Sequence, residues 1–320
     1  MEQTQSFKPL VIAIVGPTAS GKSDLGIEVA LRFNGEVINC DSVQVYRRLY
    51  IATAKVPAEE RRGVPHHLID IVEPHENFTA GDFARAAAEK IAEIEARKRI
   101  AILVGGTGFY LRALVGGLFR GPKSDLQLRE RLKDIQLRKG APHLHRMLAR
   151  LDREAAERIE ANDWSRTTRA LEVYFQTGKQ ISVWQKDMPA KPELAERIRI
   201  IALSPPRQSL YERINRRAEK MFQNGLVEEV KNLLASGVPE TAKAFGAHGY
   251  RRVLAYLKGE LSLEQAIEQT KLDTRHYAKR QLTWWRHQAE VAWFDGFGDA
   301  EETIKQVIIY VESLLKAAAA

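Results

Sequence analysis

Eight consecutive residues, "GPTASGKS" from Gly16 to Ser23, carry the glycine, lysine and hydroxyl spacing of a phosphate-binding loop. The glycines let the backbone curl so that its N–H groups converge, and a helix opening at the lysine adds positive potential at the same point. Gly16, Thr18, Ala19, Ser20, Gly21, Lys22 and Ser23 are therefore candidate ligands of a polyphosphate, with Lys22 neutralising charge and the Ser23 hydroxyl holding Mg²⁺. Such a loop most often serves ATP, but its spacing identifies a polyphosphate and not a reaction.

Nucleotide hydrolases with this loop place a carboxylate at the end of another strand to organise metal and water. Here the strand-like run "IAILV" ends in Gly105 and Gly106, and the nearest suitable acid is Asp41, just past a second strand-like run. Beside a phosphate loop, Asp41 can accept a proton from an attacking nucleophile or simply form a turn. Two chemistries stay open on these residues. A kinase would pass the γ-phosphoryl of ATP to an acceptor near Asp41, whereas a transferase would hold a diphosphate leaving group and move the carbon attached to it.

The elements that position these groups follow from hydrophobic pattern. "LVIAIV", residues 10–15, reads as a strand buried on both faces, followed by a helix over 22–33 and a strand over 36–39. Thr79 with Asp82 predicts a capped helix to about residue 97. "RIAILVGGTGFYLRALV" repeats the order of strand, glycine turn and helix, so Gly16, Asp41 and Thr107 all fall at strand C-terminal ends, where parallel sheets bind ligands. Residues 124–178 show only helical periodicity, with caps expected at Ser124 and Asp163 and stops at Gly140 and Gly178. Strand pattern returns over 197–203, helix follows from Gln208, and Ser262 with Gln265 caps a long helix reaching about His287. The fold expected is α/β: a P-loop-type parallel sheet core flanked by helices, residues 1–123 and 197–320, with an inserted all-helical domain over 124–196.

A chain of 320 residues that is 44% hydrophobic can bury a core, and its net charge of +8 favours polyanionic partners. The single cysteine, Cys40, excludes an intrachain disulfide framework and a cysteine-rich zinc site, and reads as a small buried residue in a reducing compartment. "MEQTQSFKPL" has no basic segment leading into an apolar one, and no run approaches the roughly 18 apolar residues of a membrane span, so a cytoplasmic protein without membrane attachment is expected. The terminal alanines are expected to fray. His66 and His67, adjacent and without acidic or cysteine neighbours, read as structural or substrate-loop residues rather than a metal pair.

Lys271, Arg275 and Lys279 recur at i, i+4 and i+8, with Arg286 further along and Tyr277, Trp284 and Trp285 interleaved. That pattern fits a solvated helix face or a base-stacking surface. Arg166 and Arg169 bracket Thr167 and Thr168 near a helix start, suiting phosphate contacts or a capped surface helix. Arg213 and Arg217 lie one helical turn apart and can share one anion.

Taken in order, "GPTASGKS", "DSVQVY", "PHHLID", "LVGGTGFY", "RALEVY", "FGAHGYR" and "AKRQLTWWR" resemble the tRNA dimethylallyltransferase (tRNA isopentenyltransferase) family across about residues 10–287. The resemblance implies transfer of a dimethylallyl group from dimethylallyl diphosphate to N6 of adenosine 37, next to the anticodon, in tRNAs reading codons that begin with U. It implies that Thr18, Ser20, Gly21, Lys22 and Ser23 bind the diphosphate with Arg217 and Arg213 assisting, that Asp41 is the general base, and that Thr107 contacts the reacting centre or its adenine. The implied tRNA contacts are Asp41, Ser42, Val43 and Gln44; Thr107; Ser165, Arg166, Thr167, Thr168 and Arg169; Gly246, Ala247, His248, Gly249, Tyr250 and Arg251; and Lys279, Arg280, Gln281, Trp284 and Arg286. The helical insertion would grip the anticodon stem-loop, Mg²⁺ would be the cofactor, and a monomer with no obligate protein partner is expected. Chemistry without nucleotide hydrolysis also accounts for the missing strand-end acid.

Overall fold

The computed structural model describes residues 9–119, 121–187, 190–288 and 290–319; most of the N-terminal stretch read above for a leader, residues 1–8, and the final alanine lie outside them. Five apolar residues in a row make β1 (Val11–Val15), buried along its whole length. It is followed by α1 (Lys22–Arg32), β2 (Gly35–Asn39), β3 (His66–His67), α2 (Ala80–Ala96), β4 (Ile100–Val104) and α3 (Gly108–Gly116). A run of helices comes next, α4 (Leu126–Lys139), α5 (Ala141–Leu151), α6 (Arg153–Arg158), α7 (Trp164–Thr177) and α8 (Ile181–Lys186). The chain then continues through α9 (Leu194–Arg197), β5 (Ile198–Ser204), α10 (Arg207–Gln223), α11 (Leu226–Ala235), α12 (His248–Leu257), α13 (Leu263–Arg286), β6 (Val291–Asp295) and α14 (Glu301–Ala319).

The strands form one parallel sheet in the order β3-β2-β4-β1-β5-β6. β1 thus lies centrally between β4 and β5, which is why its sequence is apolar on both faces. α1 and α14 cover this region through Leu25, Val307 and Val311, packed with Ile12, Ile14 and Ile201. A second core joins the segment after β2 to α11 and α12 through Val45, Leu49, Leu226, Phe245 and Tyr250.

The chain divides into two compact units, Met1–Gly116 with Pro192–Ala320, and Gly117–Lys191. The second is all helical among its described residues and has its own core of Leu132, Leu144, Leu148, Leu171 and Ile181. It runs over 117–191 where 124–196 was expected, because α9, residues 194–197, packs with α3 of the sheet unit, its Arg197 pairing with Glu95 at 2.6 Å and donating to the Pro9 carbonyl.

The Thr79–Asp82 and Ser262–Gln265 capping boxes form as the sequence indicates, as do the Asp163 cap and the stops at Gly140 and Gly178. The cap of α4 is Asp125, whose carboxylate accepts from the Leu128 N–H, and not Ser124. The terminal alanines 317–319 continue α14 instead of fraying. β3 and β6 had no sequence reading. β3 holds the two histidines, with His67 Nε2 2.6 Å from buried Glu36, a carboxylate also gripped by Arg97 and Arg99. Among the described residues no helix is long and apolar enough to cross a membrane, and no group of three His, Cys, Asp or Glu side chains is placed to hold a metal.

Candidate active site

The phosphate loop connects β1 to α1, and its backbone requires its glycines. Gly21 sits at φ +80°, and a Cβ there would lie 2.7 Å from the Asp299 N atom. The loop after β6 presses on it from that side, with Gly298 N–H donating to the Ser20 carbonyl at 2.8 Å. The Ser20 hydroxyl is buried and has no partner, as expected of a group awaiting a ligand. Lys22 Nζ donates to the Pro17 carbonyl at 2.5 Å. Burial brings its pKa down to about 8, opposed by the Asp41 charge and reinforced by Arg217. Burial also depresses the Arg217 guanidinium against the pull of Asp41, and its Nη1 lies 3.5 Å from the Thr18 hydroxyl. Two half-buried cations thus face one carboxylate, an excess of positive charge that an incoming anion balances.

These groups line a cavity of about 550 Å³ together with Ser23, Lys55 and His66. A second cavity of about 580 Å³ shares Thr18, Ala19, Asp41, Thr53 and Arg217 with the first, and its farther wall carries Tyr46, Phe78, Tyr110, Met221 and Tyr277. Asp41 stands where the cationic and the aromatic cavities meet.

β2 delivers Asp41 to that junction. Asp41 N–H donates to the buried Asn39 side chain at 3.0 Å, and Asp41 Oδ1 accepts from Val43 N–H at 2.8 Å. The turn-forming role is real, and it fixes the carboxylate that the second role needs. The adjacent Cys40 is buried, its thiol pushed up by burial and by Asp41, which fits a small core residue.

β4 shows why no acid occupies the usual strand end. A Cβ on Gly105 would lie 2.1 Å from the Cys40 carbonyl oxygen, and one on Gly106 would lie 2.0 Å from Gln281 Nε2. No side chain fits either position. Thr107 follows, its hydroxyl accepting from Ser42 N–H at 3.0 Å and sharing a hydrogen bond with Tyr277. Gln44 is held by the Thr53 and Ala54 carbonyls.

The structure separates the remaining expected residues. Arg217 and Arg213 both line the donor cavity, Arg213 held there by Asp299 at 2.8 and 2.9 Å and lying 3.7 Å over the Phe297 ring. Lys279, Arg280 and Arg286 are exposed on α13, but of the four cations read on one face Lys271 is tied to Glu219 and Glu268 and Arg275 is half-buried, 5.9 Å over the Tyr211 ring. Trp285 is core and Trp284 half-buried. Tyr250, expected as an RNA contact, is instead fully buried, donating to Glu229 at 2.5 Å inside the α11–α12 core. Gly249 packs on Leu226 and Ala52, and Arg251 pairs with Asp273 at 3.1 Å beside Gly246, Ala247 and His248 on the second cavity's wall. In the helical unit Ser165 and Arg166 are exposed, Thr167 and Thr168 are buried by the packing of α7, and Arg169 is engaged by Glu172 and the Pro122 carbonyl. Gln281 is buried too, with both ends of its amide engaged inside the chain.

Sequence reasoning missed Lys55, a cavity lysine bonded to the Tyr46 carbonyl and to Asp70 at 2.6 Å, and Asp299, which follows a strand that was not read. The "NCDS" run was the available signal for the Asn39–Asp41 clasp.

A glycine-turned loop at the end of a central parallel strand, with half-buried cations around it, defines a phosphate-loop α/β protein. Residues 44–288 match the family model described as IPP transferase. The chain is 49% identical over 293 residues to a tRNA dimethylallyltransferase of Solibacter usitatus, covering 91% of this chain and 94% of that one. It is 45% identical over 309 residues to tRNA dimethylallyltransferase 1 of Citrifermentans bemidjiense, covering 97% and 99%. Among solved structures it is 39% identical to the full-length tRNA isopentenylpyrophosphate transferase of Bacillus halodurans, with TM-score 0.72 and 98% of each chain covered. A eukaryotic dimethylallyltransferase captured acting on tRNA is 29% identical, with TM-score 0.78 over 95% of this chain and 79% of that one. The chain belongs to the IPP transferase family.

Proposed function

We propose that this protein transfers the dimethylallyl group of dimethylallyl diphosphate to N6 of adenosine 37 of tRNA, beside the anticodon in tRNAs reading codons that begin with U, and releases diphosphate. The observation that carries the reading is the junction at Asp41 of a cationic cavity with an aromatic one. The diphosphate occupies the first against Lys22, Arg217, the Ser20 hydroxyl and the loop N–H groups; the flat adenine, flipped from its stack, occupies the second.

The N6 lone pair is delocalised into the ring, so Asp41 assists by taking the N6 proton as the new N6–carbon bond forms. The allylic carbon–oxygen bond breaks with its electron pair leaving on the diphosphate, whose growing charge Lys22 and Arg217 meet. Ser23 would hold Mg²⁺. One hydroxyl is a small share of an octahedral oxygen set, so oxygens of the diphosphate would have to contribute to holding the ion. When bound, it supplies further neutralisation of the leaving group. Exposed Lys279, Arg280, Arg286, Ser165 and Arg166 are the RNA contacts favoured by position. A monomer is part of this reading, and a lone buried thiol suits a reducing cytoplasm.

The test is incubation with Mg²⁺, labelled dimethylallyl diphosphate and an anticodon stem-loop carrying adenosines 36 to 38. Label on the N6 atom with stoichiometric diphosphate release is expected. Turnover of ATP with no label reaching the RNA would overturn the reading in favour of a kinase.

A further inference from the structure

Tyr277, Gln281 and Trp284 occur at i, i+4 and i+7 of α13 and so share one helical face. That face is fitted to the turn after β4. Tyr277 bonds Thr107, Gln281 Nε2 donates to the Gly106 carbonyl at 3.0 Å, and a Cβ on Gly108 would lie 2.1 Å from Trp284 Nε1. Gln281 reaches a second loop as well, its Oε1 accepting from Thr18 N–H at 2.8 Å. The side chain is 5% exposed, and one donor and one acceptor on its two sides fix which way the amide points.

We infer that Gln281 is a positioning residue that locks the phosphate loop to the Gly106–Thr107 turn and thereby shapes the diphosphate site, rather than touching RNA. The inference takes its substrates from the function proposed above. The Thr18 N–H is engaged by Gln281 and so turned away from phosphate, leaving the Thr18 hydroxyl beside Arg217 to face the cavity. The same amide holds Gly106 so that Thr107 meets Ser42 on the Asp41 side. Phosphate loop and acid are thus held in register by one side chain from a helix whose Lys279 is exposed and whose Arg280 reaches the wall of the second cavity.

Gln281→Met keeps length and bulk but removes both hydrogen bonds. Calorimetry with inorganic pyrophosphate and Mg²⁺ is expected to show affinity about tenfold weaker, with donor KM raised alike, while stem-loop affinity stays within about twofold. Gln281→Glu keeps the acceptor for Thr18 but sets a negative charge beside the Gly106 carbonyl and the diphosphate, so its loss is larger. Gly106→Ala displaces the glutamine without altering its chemistry and reproduces the Gln281→Met pattern. Gly106→Ala combined with Gln281→Ala, which frees the space, costs less than the sum of the two single changes. Thermal melts accompany each variant, and the Gly106 cycle decides the matter where Gln281→Met melts early. Weakened stem-loop binding with pyrophosphate affinity unchanged overturns the inference, as do additive effects in the cycle. Wild-type protein that binds pyrophosphate but transfers no dimethylallyl group defeats the proposed function alone and leaves the pyrophosphate result to judge Gln281.

Discussion

Charge withdrawn from solvent appears twice in this molecule in opposite states of balance. In the helical unit Glu172 is fully buried, yet its carboxylate accepts from Arg129 at 2.8 and 2.9 Å, from Arg169 at 2.6 Å and from Asp125 N–H at 2.7 Å. Burial alone would raise its pKa, and the arginines hold it below the ordinary range instead. In the donor cavity Lys22 and Arg217 are half-buried beside Asp41, and loss of solvent depresses both cations. A satisfied knot of charge holds helices together, whereas an unsatisfied one marks where a ligand must supply the missing sign.

The largest effect tests the one acid on the unsatisfied side. Asp41→Asn keeps the Oδ1 that accepts from Val43 N–H, so the turn survives while proton acceptance is lost. We expect kcat to fall about a thousandfold, with donor KM and stem-loop affinity within about twofold. Parallel loss of RNA affinity would make Asp41 a binding group and remove it from the chemistry.

Lys22 comes next. Lys22→Met should lower kcat/KM for the donor about a hundredfold. Its pH dependence has a definite sign: with the free-protein pKa lowered to about 8, the charge is present below that pH and lost above it. Pyrophosphate affinity should therefore decline above pH 8, approaching tenfold per unit, and Lys22→Arg should flatten the decline. A flat wild-type profile would mean that the cavity's charge does not rest on Lys22.

On the satisfied side, Glu172→Gln should destabilise the helical unit by about 2 kcal/mol while leaving pyrophosphate affinity unchanged. A folded-state pKa held below the unfolded value gives stability that is full above the unfolded range and lost as pH falls through the folded one. Acid melts of the wild type should thus lose this increment and converge on the variant. Unequal pyrophosphate affinities would mean that the knot serves the donor site.

The contrast also marks where the sequence was legible. The phosphate loop is eight consecutive residues whose spacing is the geometry, so its ligands could be read directly, and β1, α1, α2 and α13 followed from period and caps. β3 is two residues long and β6 is a partly exposed edge strand with no clear alternation, so neither carried a pattern. Lys55, Asp299 and the Gln281 clasp are side chains joined across the fold, and no local window contains both partners. Tyr250, Thr167 and Thr168 lie in motifs whose burial depends on packing that spacing does not encode.

The smallest expected effect lies outside both charge clusters, on the exposed face of α13. Lys279 is exposed and Arg280 stacks loosely on Tyr277 at 5.8 Å, so neither is neutralised the way Lys271 is by Glu219 and Glu268. A cation left free at neutral pH beside a basic aromatic surface gains most from a phosphate, and that gain is entropic release of counterions. Lys279→Ala should weaken stem-loop binding about threefold at moderate salt and reduce the slope of log K against log salt by about 0.7, the single-strand value for one contact. Donor KM should not change, because Gln281, two residues on and on the inward face, is what touches the phosphate loop. A slope unmoved in both Lys279→Ala and Arg280→Ala would make this face a solvated surface, and the RNA footprint would then rest on the helical unit's Ser165 and Arg166.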